Sequence, residues 1–317
     1  MALIEVSGLK KKFNLEAGFF ARAGGKYGRY VSAVNGMDFT IEKNECYGLV
    51  GESGCGKTTT ARLLVRMYDA DEGGIIFNED ESEKPVNVRE LKKNELKDYR
   101  EKVKYIFQDP ARSLNPRMTI YEILVSGRRW SGRKYGESEN RRDASNILEE
   151  TGLSAADLER RPSEFSGGQR QRISIARALL MNPRLLICDE VVSALDVSIQ
   201  GQILNLLLDI RTKRDLSFLF IAHDLKVACY FCDRIGVMYR GELMEEAPAD
   251  ILWNRGAHPY TELLFSPKGN TNVKPAAETA EEGCVFANRC PYAQSRCHSE
   301  KPMFRESGPG HRVRCFK

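Results

Sequence analysis

The sequence predicts an α/β fold built around a parallel sheet. The runs CYGLV (46–50), LLICD (185–189) and SFLFIA (217–222) have the length and apolar content of strands buried on both faces. Helical stretches alternate with these runs, as expected when each strand of a parallel sheet is followed by a crossover helix. A glycine-rich segment after the first run, followed by a helical stretch, is typical of a phosphate-binding βα unit.

The N-terminal half contains the following predicted elements. Residues 2–13 and 31–50 are predicted to be strands, and the Gly- and Arg-rich segment between them a surface loop. A helix is predicted to begin at Lys57. Residues 78–104 are charged and indicate a loop and a helix leading into the strand KVKYIFQD, while 110–178 is mainly helical in pattern.

The C-terminal half continues the alternation and then changes character. A helix over 198–215 separates the second and third apolar runs, and RIGVMYRGELMEEA predicts a hairpin that turns at Arg240-Gly241. Residues 266–282 are polar, contain Pro and Ala, and indicate a linker. We therefore expect a main domain over 1–255, an extension and linker over 256–282, and a cysteine-rich region over 283–317.

Composition excludes several classes of protein. The net charge of +4 over 317 residues is small, and Lys and Arg are interleaved with Asp and Glu, so no nucleic-acid partner is expected. No run approaches the roughly 18 apolar residues of a membrane span. The first residues lack the order of a secretory signal. We expect a cytoplasmic chain whose membrane role, if it has one, comes through partner subunits.

The glycine-rich segment fits the phosphate-loop pattern G-x-x-x-x-G-K-[ST] and lies between a strand and a helix, the context that the pattern requires. Backbone N–H groups of such a loop surround the phosphates, Lys57 contacts the β and γ phosphates, and Thr58 ligates Mg²⁺. An ordinary Gly-rich turn is the alternative. The predicted nucleotide-binding residues are Gly51, Glu52, Ser53, Gly54, Cys55, Gly56, Lys57, Thr58 and Thr59.

Two acids end the strand LLICDE. A carboxylate at the tip of a strand beside a phosphate loop can hold Mg²⁺ through water, and Asp189 fits this role. Glu190 can orient or deprotonate the attacking water. Taken alone, two solvated acids at the end of a strand are the alternative interpretation.

A second anion-binding helix start precedes these acids. Ser166, Gly167, Gly168 and Gln169 open the helix ISIARALL with exposed amides, a hydroxyl and the positive end of a helix dipole. A plain helix cap is the alternative for these four residues alone. Two phosphate-binding helix starts are one more than a single nucleotide needs, so we expect a head-to-tail pair of chains that share two sites.

Together these motifs resemble the ATP-binding cassette (ABC) ATPases. GESGCGKT, FSGGQRQR, LLICDE, SALD (193–196) and His223 in FIAHD occur in that family's order and spacing over residues 2–255. The resemblance implies a P-loop NTPase with a RecA-like parallel core, an antiparallel β subdomain and a helical signature subdomain, followed here by a small cysteine-rich tail. It also implies ATP and Mg²⁺ as cofactors.

The resemblance assigns further site residues. Gln108 matches the Q-loop glutamine, which senses Mg²⁺ and water, and His223 matches the switch histidine that contacts the γ-phosphate. Phe13 matches the aromatic residue that stacks on adenine. A core aromatic is the alternative for Phe13, and a buried structural histidine is the alternative for His223. The implied catalytic set is Lys57, Gln108, Glu190 and His223, and the implied Mg²⁺ ligands are Thr58, Gln108 and Asp189.

Within that family the chain resembles the F-type subunit of oligopeptide/dipeptide permeases, on residues 108–120, 192–200, 258–264 and 283–291. This implies an ATP-hydrolysing importer subunit for peptides or a related solute, peripheral on the cytoplasmic face of the cell membrane. The implied partners are a D-type ATPase in a heterodimer, two transmembrane permease subunits and an external solute-binding protein. Val191 departs from the family, which usually has Pro there.

The alternative function is a soluble ABC ATPase of DNA repair or translation. Repair members of the family carry long heptad coiled coils, and translation members carry two cassettes. Neither feature occurs in the sequence.

Cys284, Cys290, Cys297 and Cys315 lie in a segment with too little apolar content to fold alone. In a reducing cytosol four such thiols indicate a structural metal site. Their spacing is wider than that of most zinc sites and fits an iron–sulfur cluster as well or better, while free cysteines remain an alternative. The family resemblance implies a 4Fe-4S cluster. His298 and His311 are candidate replacement ligands.

Overall fold

The structure is a computed structural model that describes residues 1–14, 30–80, 84–129, 131, 134–254, 256–265 and 283–317. Its strands are β1 (Ala2–Asn14), β2 (Tyr30–Glu42), β3 (Cys46–Val50), β4 (Glu72–Phe77), β5 (Val86–Asn87), β6 (Val103–Ile106), β7 (Leu185–Asp189), β8 (Ser217–Ala222), β9 (Arg234–Tyr239), β10 (Glu242–Pro248), β11 (Arg305–Gly308) and β12 (His311–Val313).

The described helices are α1 (Lys57–Leu64), α2 (Lys93–Lys102), α3 (Pro110–Ser113), α4 (Ile120–Arg129), α5 (Glu137–Glu150), α6 (Gly167–Leu179), α7 (Val197–Lys213), α8 (Leu225–Phe231), α9 (Ala249–Asn254), α10 (Pro259–Phe265) and α11 (Ser295–Ser299). No helix among the described residues combines the length and apolar character needed to cross a bilayer.

The core is an eight-stranded sheet in the order β11-β12-β10-β9-β3-β8-β7-β6. Strands β9, β3, β8, β7 and β6 are parallel, which confirms the predicted parallel core. Each residue of β3, β7 and β8 is buried, because helices cover both faces of the sheet. This arrangement brings the carboxyl ends of β3, β7 and β8 to one edge, where the sequence motifs follow.

A second, antiparallel sheet has the order β2-β1-β4-β5 and is the predicted antiparallel subdomain. The predicted strand region 31–50 contains β2 and β3, which belong to different sheets. Asn44, with a φ of 59°, turns the chain between them. Strand β4 was not predicted, because two glycines in EGGIIF weaken its strand pattern.

Helices α3 to α6 form the predicted helical subdomain, in which α6 packs on α3, α4 and α5. The predicted hairpin at Arg240-Gly241 joins β9 and β10, and both residues have positive φ, 46° and 85°. Two residues with left-handed φ match the right-handed twist of a hairpin. The predicted loop between β1 and β2 and the linker over 266–282 fall on residues 15–29 and 266–282, outside the described residues.

The cysteine-rich region joins the core sheet directly. Strand β12 pairs antiparallel with β10, and β11 pairs with β12. Glu245 of β10 is wholly buried and accepts hydrogen bonds from the backbone N–H groups of Ala257 and His258, at 2.7 and 2.9 Å, and from the Thr261 hydroxyl. Its carboxylate also contacts His311 Nε2 at 2.7 Å. One carboxylate therefore ties β10, the extension and β12 together.

Candidate nucleotide-binding site

The phosphate loop connects β3 to α1, as predicted. Helix α1 begins at Lys57 and follows Gly56, whose φ is 112°. A Cβ atom on Gly56 would lie 2.0 Å from the carbonyl oxygen of Ala33, so only glycine fits between this loop and the neighbouring chain. The loop therefore meets the backbone requirements of a phosphate cradle at a helix N-terminus.

Lys57 is held inside the loop. Its side chain is buried, and its Nζ donates to the carbonyl oxygens of Gly51, at 2.7 Å, and Glu52, at 3.1 Å. Both acceptors belong to the loop itself. The ammonium group is therefore fixed next to the backbone amides that are expected to face phosphate oxygens.

Asp189 ends β7 and faces the start of α1. Its Oδ1 accepts a hydrogen bond from the Thr58 hydroxyl at 3.0 Å, and its Oδ2 accepts one from the Tyr105 hydroxyl. The structure thus brings the two predicted Mg²⁺ ligands together. Tyr105 was not predicted. Burial and the adjacent Asp189 raise the pKa of Tyr105 well above its usual value, so the phenol stays protonated and donates.

Glu190 and Gln108 also meet. Gln108 Nε2 donates to Glu190 Oε2 at 2.8 Å. Glu190 has a φ of 50°, a left-handed conformation that is costly for a residue with a Cβ atom, and its N–H donates to the carbonyl of Ile221 on β8. Val191, in the place of the family's usual proline, is buried. The Glu190 backbone is therefore held by the sheet, and its carboxylate by the Q-loop residue.

His223 and Phe13 lie beside different sheets: His223 follows a strand of the core sheet, and Phe13 belongs to the antiparallel sheet. His223 directly follows β8 and is exposed, which argues against the alternative of a buried structural histidine. Phe13 is half-buried near the end of β1, and its ring packs edge-on against Tyr68 with the centroids 5.3 Å apart. Phe13 therefore has a packing partner within the chain.

Ser166 caps α6. Its hydroxyl accepts from the N–H of Gln169 at 3.3 Å, and the Gln169 side chain accepts from the N–H of Ser166 at 2.9 Å. Ser166, Gly167 and Gln169 are exposed. The capping interpretation and a phosphate-binding role are compatible, because the exposed face of a capped helix start remains available to an anion.

An open cavity of about 600 Å³ lies between the core sheet and the helical subdomain. Its lining includes Thr58, Gln108 and Asp189 together with the cationic side chains of Lys104 and Arg177. Burial lowers the pKa of both Lys104 and Arg177. The side of the site that holds Thr58 and Asp189 thus opens onto a groove with a positive wall.

The C-terminal region touches the phosphate loop at Glu52. Arg289 donates to both carboxylate oxygens of Glu52, at 2.7 and 2.8 Å, and the Tyr260 hydroxyl accepts the Glu52 N–H at 2.9 Å. Neither Tyr260 nor Arg289 was predicted to contribute to the site. Both lie more than 200 residues from Glu52 in sequence, and no local motif marks them.

The four cysteines of the C-terminal region line one small cavity: Cys284, Cys290, Cys297 and Cys315. Two of the sulfurs accept a backbone N–H: Cys297 from Gln294 and Cys315 from Lys317, both at 3.4 Å. Burial raises the pKa of Cys284 to about 11, and the Phe286 N–H opposes that shift.

The geometry of the cysteines does not suit a single ion. The described residues contain no group of three or more His, Cys, Asp or Glu side chains that could hold one metal ion. A tetrahedral zinc site needs all its sulfurs about 2.3 Å from one centre. The candidate ligand His311 is instead paired with Glu245, and His298 is exposed.

Comparison with known proteins decides the family. The family model described as "ABC transporter" matches residues 34–193, and the model described as "Oligopeptide/dipeptide transporter, C-terminal region" matches 244–297. The chain belongs to the ABC transporter ATPase family. ATP and Mg²⁺ are accordingly the cofactors of this ABC ATPase, and hydrolysis of ATP is its reaction.

Two relatives of this ABC ATPase align over nearly its whole length. The oligopeptide transport ATP-binding protein AppF of Bacillus subtilis is 40% identical over 99% of the chain and 96% of its own length. OppF of the same organism is 42% identical over 99% of the chain and 96% of its own length. These relatives support a transporter ATPase over a repair or translation factor.

Solved ABC cassettes share the fold. The dimeric structure of MJ0796, a bacterial ABC transporter cassette, has a TM-score of 0.65 at 25% identity and covers 80% of this chain and 99% of its own. The structure of cbiO1 from Clostridium perfringens has a TM-score of 0.65 at 22% identity and covers 80% and 90%. The predicted P-loop NTPase fold is confirmed.

Proposed function

We propose that this ABC ATPase energises the import of peptides, either dipeptides or oligopeptides. The observation that carries the proposal is the match of residues 244–297 to the C-terminal region of oligopeptide/dipeptide transporters, in a chain at least 40% identical to two oligopeptide transport ATP-binding proteins. The cargo passes through membrane subunits that this chain does not contain, so the ATPase supplies the energy and not the specificity.

The proposed site uses the residues assembled at the carboxyl edge of the sheet. Lys57 and the amides of the phosphate loop bind the β and γ phosphates, and Thr58 and Asp189, with Gln108, bind Mg²⁺. Glu190 orients the attacking water, and its 2.8 Å hydrogen bond to Gln108 supports this role, since it couples the base to the Q-loop. His223 contacts the γ-phosphate, and Phe13 stacks on adenine.

We infer that the working unit is a head-to-tail pair of ATPase chains. Helix α1 packs on β7 and β8 of the core sheet, whereas α6 packs on α3, α4 and α5 as well as on β6, so the second phosphate-binding helix start belongs to the helical subdomain. Each chain then offers Ser166–Gln169 to its neighbour's nucleotide. The proposed neighbour is a D-type ATPase, bound with two permease subunits on the cytoplasmic face and served by an external solute-binding protein.

Replacing Glu190 with Gln tests the ATPase proposal. The amide keeps the shape of the carboxylate but cannot accept a proton, so turnover should fall by at least about a hundredfold, the usual contribution of a general base. ATP should remain bound and hold the dimer together in gel filtration. Glu159→Gln, an exposed glutamate paired with Arg141, is the matched control. Wild-type turnover in E190Q would contradict the role of the base.

Uptake into proteoliposomes that carry the membrane subunits tests the cargo. Labelled dipeptides and oligopeptides should accumulate with ATP and fail to accumulate with E190Q. Uptake of a sugar or a metal chelate with no uptake of peptide would reject the peptide assignment and leave the ATPase assignment in place.

We further propose a 4Fe-4S cluster held by the four cysteines of the region 283–317, which follows the ATPase domain (1–255) and its extension (256–282). The cavity that the four cysteines share, and the N–H···S bonds at Cys297 and Cys315, support it. Protein purified without oxygen should be brown and contain four irons per chain, and Cys290→Ser should lose both. Cys229→Ser, outside the cavity, should keep them. Iron-free, colourless wild-type protein would reject the cluster.

A further inference from the structure

The contact between Arg289 and Glu52 joins the cysteine-rich region to the phosphate loop, which belong to separate sequence motifs. Arg289 ends a short 3₁₀ turn, Ala287–Arg289, in the cysteine-rich region, while Glu52 is the second residue of the phosphate loop. The guanidinium makes two parallel hydrogen bonds to the carboxylate, at 2.7 and 2.8 Å, and the arginine side chain is only 9% exposed. Bidentate pairs of this kind fix orientation as well as charge.

Aromatic rings hold the arginine in place. Its guanidinium carbon lies 5.4 Å from the ring centre of Tyr239 and 5.9 Å from that of Phe286, and the Tyr239 hydroxyl accepts a further hydrogen bond at 3.2 Å. The Tyr260 ring packs against both of these rings. The pair with Glu52 raises the pKa of Arg289, so the cation is permanent. The guanidinium therefore cannot leave Glu52 without breaking this aromatic cluster.

Three described hydrogen-bonding partners hold Glu52, and the third of them, Lys57, belongs to the phosphate-binding site. Arg289 holds its carboxylate, the Tyr260 hydroxyl accepts its N–H, and its carbonyl oxygen accepts from Lys57 Nζ at 3.1 Å. A shift of Glu52 would therefore move an acceptor of Lys57. A carboxylate in a loop that binds a triphosphate would also repel that ligand unless a cation neutralises it.

We propose that Arg289 is a positioning residue for the phosphate loop, assisted by Tyr260: it neutralises Glu52 and fixes the carbonyl that orients Lys57. The inference rests on the proposed nucleotide function of that loop. It makes the affinity for ATP depend on a residue of the cysteine-rich region. Lys57 also belongs to the proposed catalytic set, so we expect a smaller effect on turnover beside the larger effect on affinity.

Nucleotide affinity, measured with a fluorescent ATP analogue on the full chain, tests the proposal. Arg289→Met removes the guanidinium that offsets the Glu52 charge and should weaken binding about tenfold or more, a larger change than in kcat at saturating ATP. Combining it with Glu52→Gln removes the repulsive charge and should restore most of the affinity. A residue with a merely structural role would not be rescued by neutralising its partner.

Arg312→Met is the matched control, because Arg312 also pairs a residue of this region with the core, at Glu246, away from the phosphate loop. It should leave the affinity for ATP unchanged. If R289M fails to fold, E52Q alone decides, since it should bind ATP at least as tightly as wild type.

Three results would overturn the inference: wild-type affinity in R289M, no rescue by E52Q in the double variant, or weaker binding in E52Q alone. Wild-type protein that binds no ATP would instead reject the proposed function of the loop.

Discussion

Replacing Tyr105 with Phe should lower the affinity of the ATPase for Mg²⁺ without disturbing the fold. The Asp189 carboxylate has two described partners, Thr58 at 3.0 Å on one oxygen and the Tyr105 hydroxyl on the other. The substitution removes one hydrogen bond to a charged group, of the kind that contributes about 1.5–3 kcal/mol. The Phe107 ring, with its centroid 4.8 Å from that of Tyr105, can pack on a phenylalanine as it does on the tyrosine.

The expected loss of Mg²⁺ affinity depends on the hydrogen bond to Asp189 that remains in the variant. Loss of a residue that orients a metal ligand usually costs about 10–100-fold in metal affinity, and we expect the lower end, about tenfold, because Thr58 still holds one oxygen of Asp189. The assay is ATP hydrolysis at saturating nucleotide against free Mg²⁺. The half-saturating concentration should rise about tenfold, with little change in the maximal rate.

Tyr99→Phe is the matched control. The Tyr99 hydroxyl is buried and donates to the carbonyl of Leu64 at 2.7 Å, so the same atom is lost away from Asp189. Y99F should lower the melting temperature and leave the Mg²⁺ dependence unchanged. An unchanged half-saturating concentration in Y105F, or an equal rise in Y99F, would refute the reasoning.

Two further predictions concern the docking of the C-terminal region. Glu245→Gln replaces an acceptor oxygen with a donor in a wholly buried cluster of four donors, so the free energy of unfolding should fall by about 3 kcal/mol. Urea unfolding with an unchanged m-value would measure this loss of stability. A loss below about 1 kcal/mol would contradict the prediction. Burial, reinforced by the charge of Lys317, lowers the pKa of His258 from 6.5 to about 4. The unfolded chain therefore takes up a proton that the folded chain does not, and stability present above pH 6.5 should decline by about 1.4 kcal/mol per pH unit between pH 6.5 and 4. His258→Asn should have a shallower pH dependence over that window, and a slope equal to that of wild type would disprove the assignment.

Local motifs predicted the centre of the site, because its residues lie next to one another in sequence. Lys57 and Thr58 follow β3 directly, and Asp189 and Glu190 follow the apolar run of β7. Once both strands are placed in one parallel sheet, their carboxyl ends meet at the same edge, so the meeting of Thr58 and Asp189 required no further information.

Residues that reach the site from another strand or from the C-terminal region could not be found in this way. Tyr105 points at Asp189 only because β6 pairs with β7 in a register that sets Tyr105 opposite Ile187. Arg289 lies 237 positions from Glu52 in the sequence and reaches it through the packing of the C-terminal region on the core. Strand β12 is three residues long, too short to show the alternation of apolar and polar residues that marks a strand. Strand β4 was not predicted because Gly73 and Gly74 interrupt its apolar pattern.

The separation of Glu52 and Arg289 by 237 positions has a consequence for biosynthesis. At the usual pace of translation, about 5–20 residues per second, the ribosome reaches the arginine some ten seconds or more after it has made the phosphate loop. Until then the loop of the nascent chain lacks the Arg289 guanidinium and should bind nucleotide more weakly. Full affinity for ATP would then report that synthesis has passed Arg289.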